Sequence, residues 1–94
     1  MIEICIDCGP GSNGRQGTYL LNILSKLKQH DQPEIRDWAE AINDTTPGST
    51  SFGEWSWEFP SLPNHTKEVV NFFIEELTAI YNDNGLRFAS CHEI

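Results

Sequence analysis

The residue types best suited to chemistry cluster near the start of the chain, in Cys5-Ile6-Asp7-Cys8-Gly9 and the run Gly9-Pro10-Gly11-Ser12-Asn13-Gly14-Arg15 that follows. A C-x-x-C pair supplies two thiolates at the spacing of a zinc knuckle, and Cys91-His92 offers a further thiolate and an imidazole. A complete structural zinc site generally shows two paired motifs, whereas adjacent Cys91 and His92 on a strand point to opposite faces. Cys5, Cys8, Cys91 and His92 are therefore only an alternative metal set, and the expectation is no metal and no other cofactor. Thioredoxin-like redox chemistry has less support, since its motif opens a helix and Cys5 falls within a strand pattern. In an extended strand the Cα atoms of Cys5 and Cys8 are about 10 Å apart, beyond disulfide reach, and three cysteines are an odd number. Buried, reduced thiols are expected.

Gly9, Gly11 and Gly14 match G-x-G-x-x-G between a strand pattern and a helix pattern, the context in which backbone N–H groups approach a phosphate. With Arg15 they form a candidate anion site, and a small phosphate- or nucleotide-binding domain using the Gly9–Gly17 loop is one alternative function. A dinucleotide fold, however, needs a second strand soon after the helix, ending in an acid about 20 residues on. The segment Ile35 to Ile42 has helical spacing instead, and glycines with Pro10 and Asn13 equally make a tight surface turn.

No catalytic residues are assigned. His30, His65 and His92 stand beside no nucleophile motif, Glu75 and Glu76 diverge by about 100° on a helix, and Glu54 and Glu58 are about 13 Å apart on a strand. That separation exceeds the reach of a paired-carboxylate hydrolase, so binding is favoured over catalysis.

Charge is the stronger signal. The 94 residues hold 14 acidic and 6 basic side chains, a formal charge of −8, which opposes attraction to nucleic acid or to an anionic membrane. The excess sits in the middle: residues 1–30 carry +1, residues 31–58 carry −6 and residues 59–94 carry −3. Glu34, Asp37, Glu40 and Asp44 along a helix, with Glu54 and Glu58 on a strand, form the expected partner-binding surface. In size and charge the chain resembles small acidic inhibitors and decoys of the toxin-immunity, antitoxin and phage anti-defence kind. That likeness implies a basic protein partner, such as a nuclease or another nucleic-acid-handling protein. A zinc-stabilised accessory module is the remaining alternative. No apolar run nears the roughly 18 residues of a membrane span, and Met1-Ile2-Glu3-Ile4 lacks the basic start of a secretory leader, so a cytoplasmic location is expected.

These residues need elements to position them. Ile2, Ile4 and Ile6 alternate with Glu3, Cys5 and Asp7, a strand with one buried face. Leu20, Leu21, Ile23, Leu24 and Leu27 recur at helical spacing in a segment capped by Ser12 or Thr18 and ending near His30. A shorter helix starts near Pro33, with Ile35, Trp38, Ala39 and Ile42 on one stripe. The polar stretch 43–53 reads as a loop. Trp55, Trp57 and Phe59 form the aromatic face of a second strand, expected to fill the core with Trp38, or to anchor a partner if that strand is an edge. A long helix capped by Asn64 or Thr66 carries Val69, Val70, Phe73, Leu77, Ile80 and Tyr81, stops at Asn82-Asp83-Asn84-Gly85, and leads into a last strand.

The reading is therefore one domain over residues 1–94, of α+β (or small α/β) class and order β-α-α-β-α-β. It has about three strands with helices covering one face. A ferredoxin-like β-α-β-β-α-β order is the alternative if the Trp38 segment is a strand.

Overall fold

A computed structural model of the chain describes residues 1–42, 47–51, 53–84 and 86–94. Seven elements follow one another: β1 (Ile2–Asp7), α1 (Arg15–Leu27), α2 (Pro33–Ala41), β2 (Ser49–Ser51), β3 (Glu54–Phe59), α3 (Thr66–Asn84) and β4 (Phe88–Glu93). The class is α+β, with the expected β-α-α-β-α-β succession carried by three six-residue strands and three helices. A three-residue strand, β2, adds to it within the stretch read as a loop. The Trp38 segment is helical, which removes the ferredoxin-like order.

The sheet order is β2-β3-β1-β4, with every neighbouring pair antiparallel. Ile2, Ile4 and Ile6 of the central β1 are fully buried and join Trp57 and Phe59 of β3 and Cys91 of β4 under the helices. From α1 come Leu20, Ile23, Leu24 and Leu27, from α2 Ile35, Trp38 and Ala39, and from α3 Val69, Phe73 and Leu77. Each set follows the apolar stripe of its helix, so the amphipathic faces and the strand alternation close on a single buried cluster. The aromatic strand face is core: Trp57 is buried, and Phe59 meets Trp38 edge-on at 6.2 Å between ring centroids. The Trp38 indole N–H donates to the Pro60 carbonyl at 2.9 Å.

Helix starts differ from the sequence expectation. Pro33 does open α2, but neither Ser12 nor Thr18 caps α1, whose start is delivered by Gly14 in the left-handed region at φ 82°. Thr66, rather than capping forward, accepts the Leu62 N–H at 2.9 Å and donates to the Leu62 carbonyl at 2.8 Å, tying α3 to the preceding turn. α3 ends at Asn84, within the expected stop Asn82-Asp83-Asn84-Gly85, and Gly85 lies outside the described residues. Among the described residues no helix is long and apolar enough to cross a membrane.

Candidate partner-binding face

All three helices pack on the Ile2, Ile4 and Ile6 side of the sheet, and among the described residues no helix covers the other side. Glu3, Cys5 and Asp7 point there because they alternate with the three buried isoleucines. Strand register sets their neighbours: Glu3 stands between Glu58 and His92, Cys5 between Ser56 and Ser90, and Asp7 between Glu54 and Phe88. Four carboxylates thus share a face that the helices do not cover.

Their pairing is electrostatically adverse. The Cys8 N–H donates to the Gly53 carbonyl at 3.1 Å, and bonded and non-bonded pairs alternate along an antiparallel ladder. Glu3–Glu58 and Asp7–Glu54 are therefore non-hydrogen-bonded pairs, the kind with Cα atoms about 4.5 Å apart and the closest side chains. Like charges in such positions repel. Among the described residues no Lys or Arg forms an ion pair with any of the four; the one basic group in reach is His92, whose Nε2 lies 3.3 Å from Glu3 Oε1. Asp7 Oδ1 accepts the Gly9 N–H at 2.8 Å. Burial raises the pKa of the Cys5 thiol between the rows; Glu3 and Glu54 raise it further, while the Ser90 hydrogen bond lowers it.

The expected acidic surface is divided by this arrangement. Glu54 and Glu58 lie on the open face, whereas Glu34, Asp37 and Glu40 are exposed on α2, in the helical layer. Glu34 faces His65, with 3.9 Å between Oε2 and Nε2. Asp44 lies outside the described residues. Glu3 and Asp7, counted at first with the mildly basic third of the chain, complete the face instead. The signal for them was the Ile-Glu-Ile-Cys-Ile-Asp alternation, but only the β1–β3 register sets them against Glu58 and Glu54.

Gly9, Gly14 and Gly17 of the glycine loop lie against packed side chains, whereas Gly11 faces open space. A Cβ at Gly9 would meet the Arg87 side chain at 3.0 Å, and Cβ atoms at Gly14 and Gly17 would meet the Trp55 ring at 3.8 and 3.5 Å. Gln16, fully buried, donates from Nε2 to Ser12 Oγ at 2.7 Å and to the Gly53 carbonyl; among the described residues its Oε1 has no hydrogen-bond partner. Both neighbours of β1 run antiparallel to it, so the parallel βαβ unit of a dinucleotide site is not formed by these strands. Arg15 is exposed, and its charge lowers the Cys8 pKa against the larger upward effect of burial.

The four candidate metal ligands are not brought together. Cys5 and His92 lie on the open face, Cys91 is buried beside Ile4 on the helical side, and Cys8 follows the end of β1. Among the described residues no group of three or more His, Cys, Asp or Glu could hold a metal ion. Neither a known protein family nor a curated protein nor a solved structure matches the chain.

Proposed function

We propose that the chain is a binding protein whose open sheet face, centred on Glu3, Asp7, Glu54 and Glu58, receives a basic surface of another protein, in the manner of a small acidic inhibitor or decoy. The observation that carries this reading is the pair of like-charged cross-strand contacts, Glu3–Glu58 and Asp7–Glu54, with no Lys or Arg paired to them among the described residues. Such pairs cost stability in the free protein, and a Lys- or Arg-bearing partner relieves that repulsion on docking. A chain at −8 repels phosphate, whereas proteins that handle nucleic acid carry basic clefts of the complementary sign.

The test is capture from host lysate with wild type and with a variant carrying Glu3→Gln, Glu54→Gln and Glu58→Gln, followed by association kinetics for the captured protein across a salt series. The expected result is a basic protein held by wild type and lost by the variant, with an on-rate that falls as salt rises. Equal capture of that protein by the folded variant rejects the reading.

A further inference from the structure

β4 forms one outer edge of the sheet with six residues, against three in β2 at the other edge. The Ile94 N–H donates to the Met1 carbonyl at 2.8 Å, and the Met1 amino group donates back to the Ile94 carbonyl at 3.4 Å. Since bonded pairs alternate along the ladder, His92 and Ser90 turn their backbone groups toward Glu3 and Cys5. Those of Ala89, Cys91 and Glu93 point outward. Neither Pro nor Lys, the common protectors of an edge, occurs between Phe88 and Glu93. Beside this edge Ile74 and Tyr81 of α3 and Phe88 of β4 are 44%, 50% and 53% exposed, along a groove of 280 Å³ between α3 and β4.

We propose that the chain forms a two-fold dimer in which β4 pairs antiparallel with β4 of a second copy, joining two four-stranded sheets into one. The outward groups of β4 are those of Ala89, Cys91 and Glu93, whereas the Arg87 N–H, just before the strand, turns inward to the Asp7 carbonyl at 2.8 Å, so the bonded pairs of such a dimer match the odd residues 89, 91 and 93. An axis through Ser90 sets Ala89 opposite Cys91 of the second copy and Arg87 opposite Glu93 of the second copy, twice over. Among the described residues neither Arg87 nor Glu93 has an ion-pair partner within the chain; in the free chain the Arg87 side chain lies over Gly9 and Glu93 Oε2 accepts from the Ser61 hydroxyl at 3.3 Å, so each swings outward to meet its counterpart in the dimer. A shift by one bonded pair in either direction loses both contacts, setting Arg87 opposite Cys91 or beyond the end of the strand. Charge complementarity therefore selects this register, and a two-fold axis presents the same edge to itself. The same axis brings Ile74 toward Tyr81 of the second copy, covering these two exposed side chains of α3.

The dimer is independent of the acidic-face reading, because its contacts lie on the outer edge of β4 and on α3, away from Glu3, Asp7, Glu54 and Glu58 on the open face.

Sedimentation equilibrium of the full chain from micromolar to millimolar concentration is expected to show a monomer–dimer equilibrium. Arg87→Glu and Glu93→Arg should each weaken it by about tenfold or more, and the double variant should restore it. Ile74→Asp, at an exposed position, should also weaken it without unfolding the chain. In a Cys5→Ser background, Ser90→Cys should give a disulfide-linked dimer on mild oxidation, because the axis places the two copies of residue 90 opposite each other. A monomer throughout the range, or a dimer whose affinity is the same in both charge reversals, overturns the proposal.

Discussion

Gly53 packs so tightly on Gly9 that a Cβ on Gly53 would fall on the Gly9 carbonyl and Cα. Gly53 also holds φ at +96°, and its carbonyl accepts both the Cys8 N–H and the Gln16 side-chain amide. One residue thereby ties the start of β3 to the end of β1 and to α1. Gly53→Ala should lose about 2 kcal/mol or more, since the clash is with backbone that cannot swing aside. Gly11→Ala, also at positive φ but with nothing near its Cβ, should lose only about 1 kcal/mol. Urea denaturation of the two variants measures the difference, and equal losses would show that the Gly9–Gly53 contact is not tight in solution.

The aromatic core gives a second expectation. Trp57 is 2% exposed, and its ring centroid lies 6.0 Å from that of Trp55. Trp57→Ala should cost about 3–5 kcal/mol, a large share of the stability of a small domain. Trp55, only partly buried against Gly14 and Gly17, should cost clearly less on the same change. Thermal melts of both variants order the two rings, and a larger loss at Trp55 would invert the assignment.

Local periods made the elements legible. The alternation of Ile2, Ile4 and Ile6 announces a strand with one buried face, and Ile35, Trp38 and Ala39 announce a helix, because each pattern is decided within a few residues. Long-range pairing is not written that way. Glu3 and Asp7 become part of a four-carboxylate face only because β1 lies between β3 and β4, a choice set by contacts more than 45 residues apart in sequence. Charge counted along the chain therefore grouped Glu54 and Glu58 with Glu34, Asp37 and Glu40, although packing of Ile35 and Trp38 holds α2 in the other layer. Cap chemistry misled for a related reason: Ser12 is a good cap type, but its carbonyl and hydroxyl are taken up by Arg15 and Gln16 within the turn. Gln16 itself carries no apolar signal, and its burial follows from its hydrogen bonds to Ser12 and Gly53.

Cys91 sets an alkaline limit. Burial, helped by Cys5, pushes its thiol up to about 12 from an ordinary 9.0. Between these values the folded protein keeps a proton that the unfolded chain has released, so stability falls as pH rises through that window and this group has no effect below it. Urea midpoints measured from neutral pH upward should decline above pH 9 more steeply in wild type than in Cys91→Ala, although the variant starts lower at neutral pH because of its cavity. Parallel declines would mean that the thiol is not buried as described.

The open face predicts a trade between stability and binding at a single position. Glu58 is exposed and faces Glu3 in a non-hydrogen-bonded pair, so Glu58→Lys turns a repulsive contact into an attractive one without touching the core. The gain should be about 0.5–1 kcal/mol at low salt and should shrink as salt is added, because the pair is at the surface. Glu40→Lys, on α2 and away from that pair, changes net charge equally but should leave stability within about 0.5 kcal/mol of wild type. If the face receives a basic partner, Glu58→Lys should bind more weakly while melting higher, and Glu40→Lys should retain most of the affinity. Denaturation and partner affinity measured on the same preparations decide it. Should Glu58→Lys lose stability, the cross-strand register is wrong; should it gain stability and bind as wild type, the register stands and the binding surface lies elsewhere.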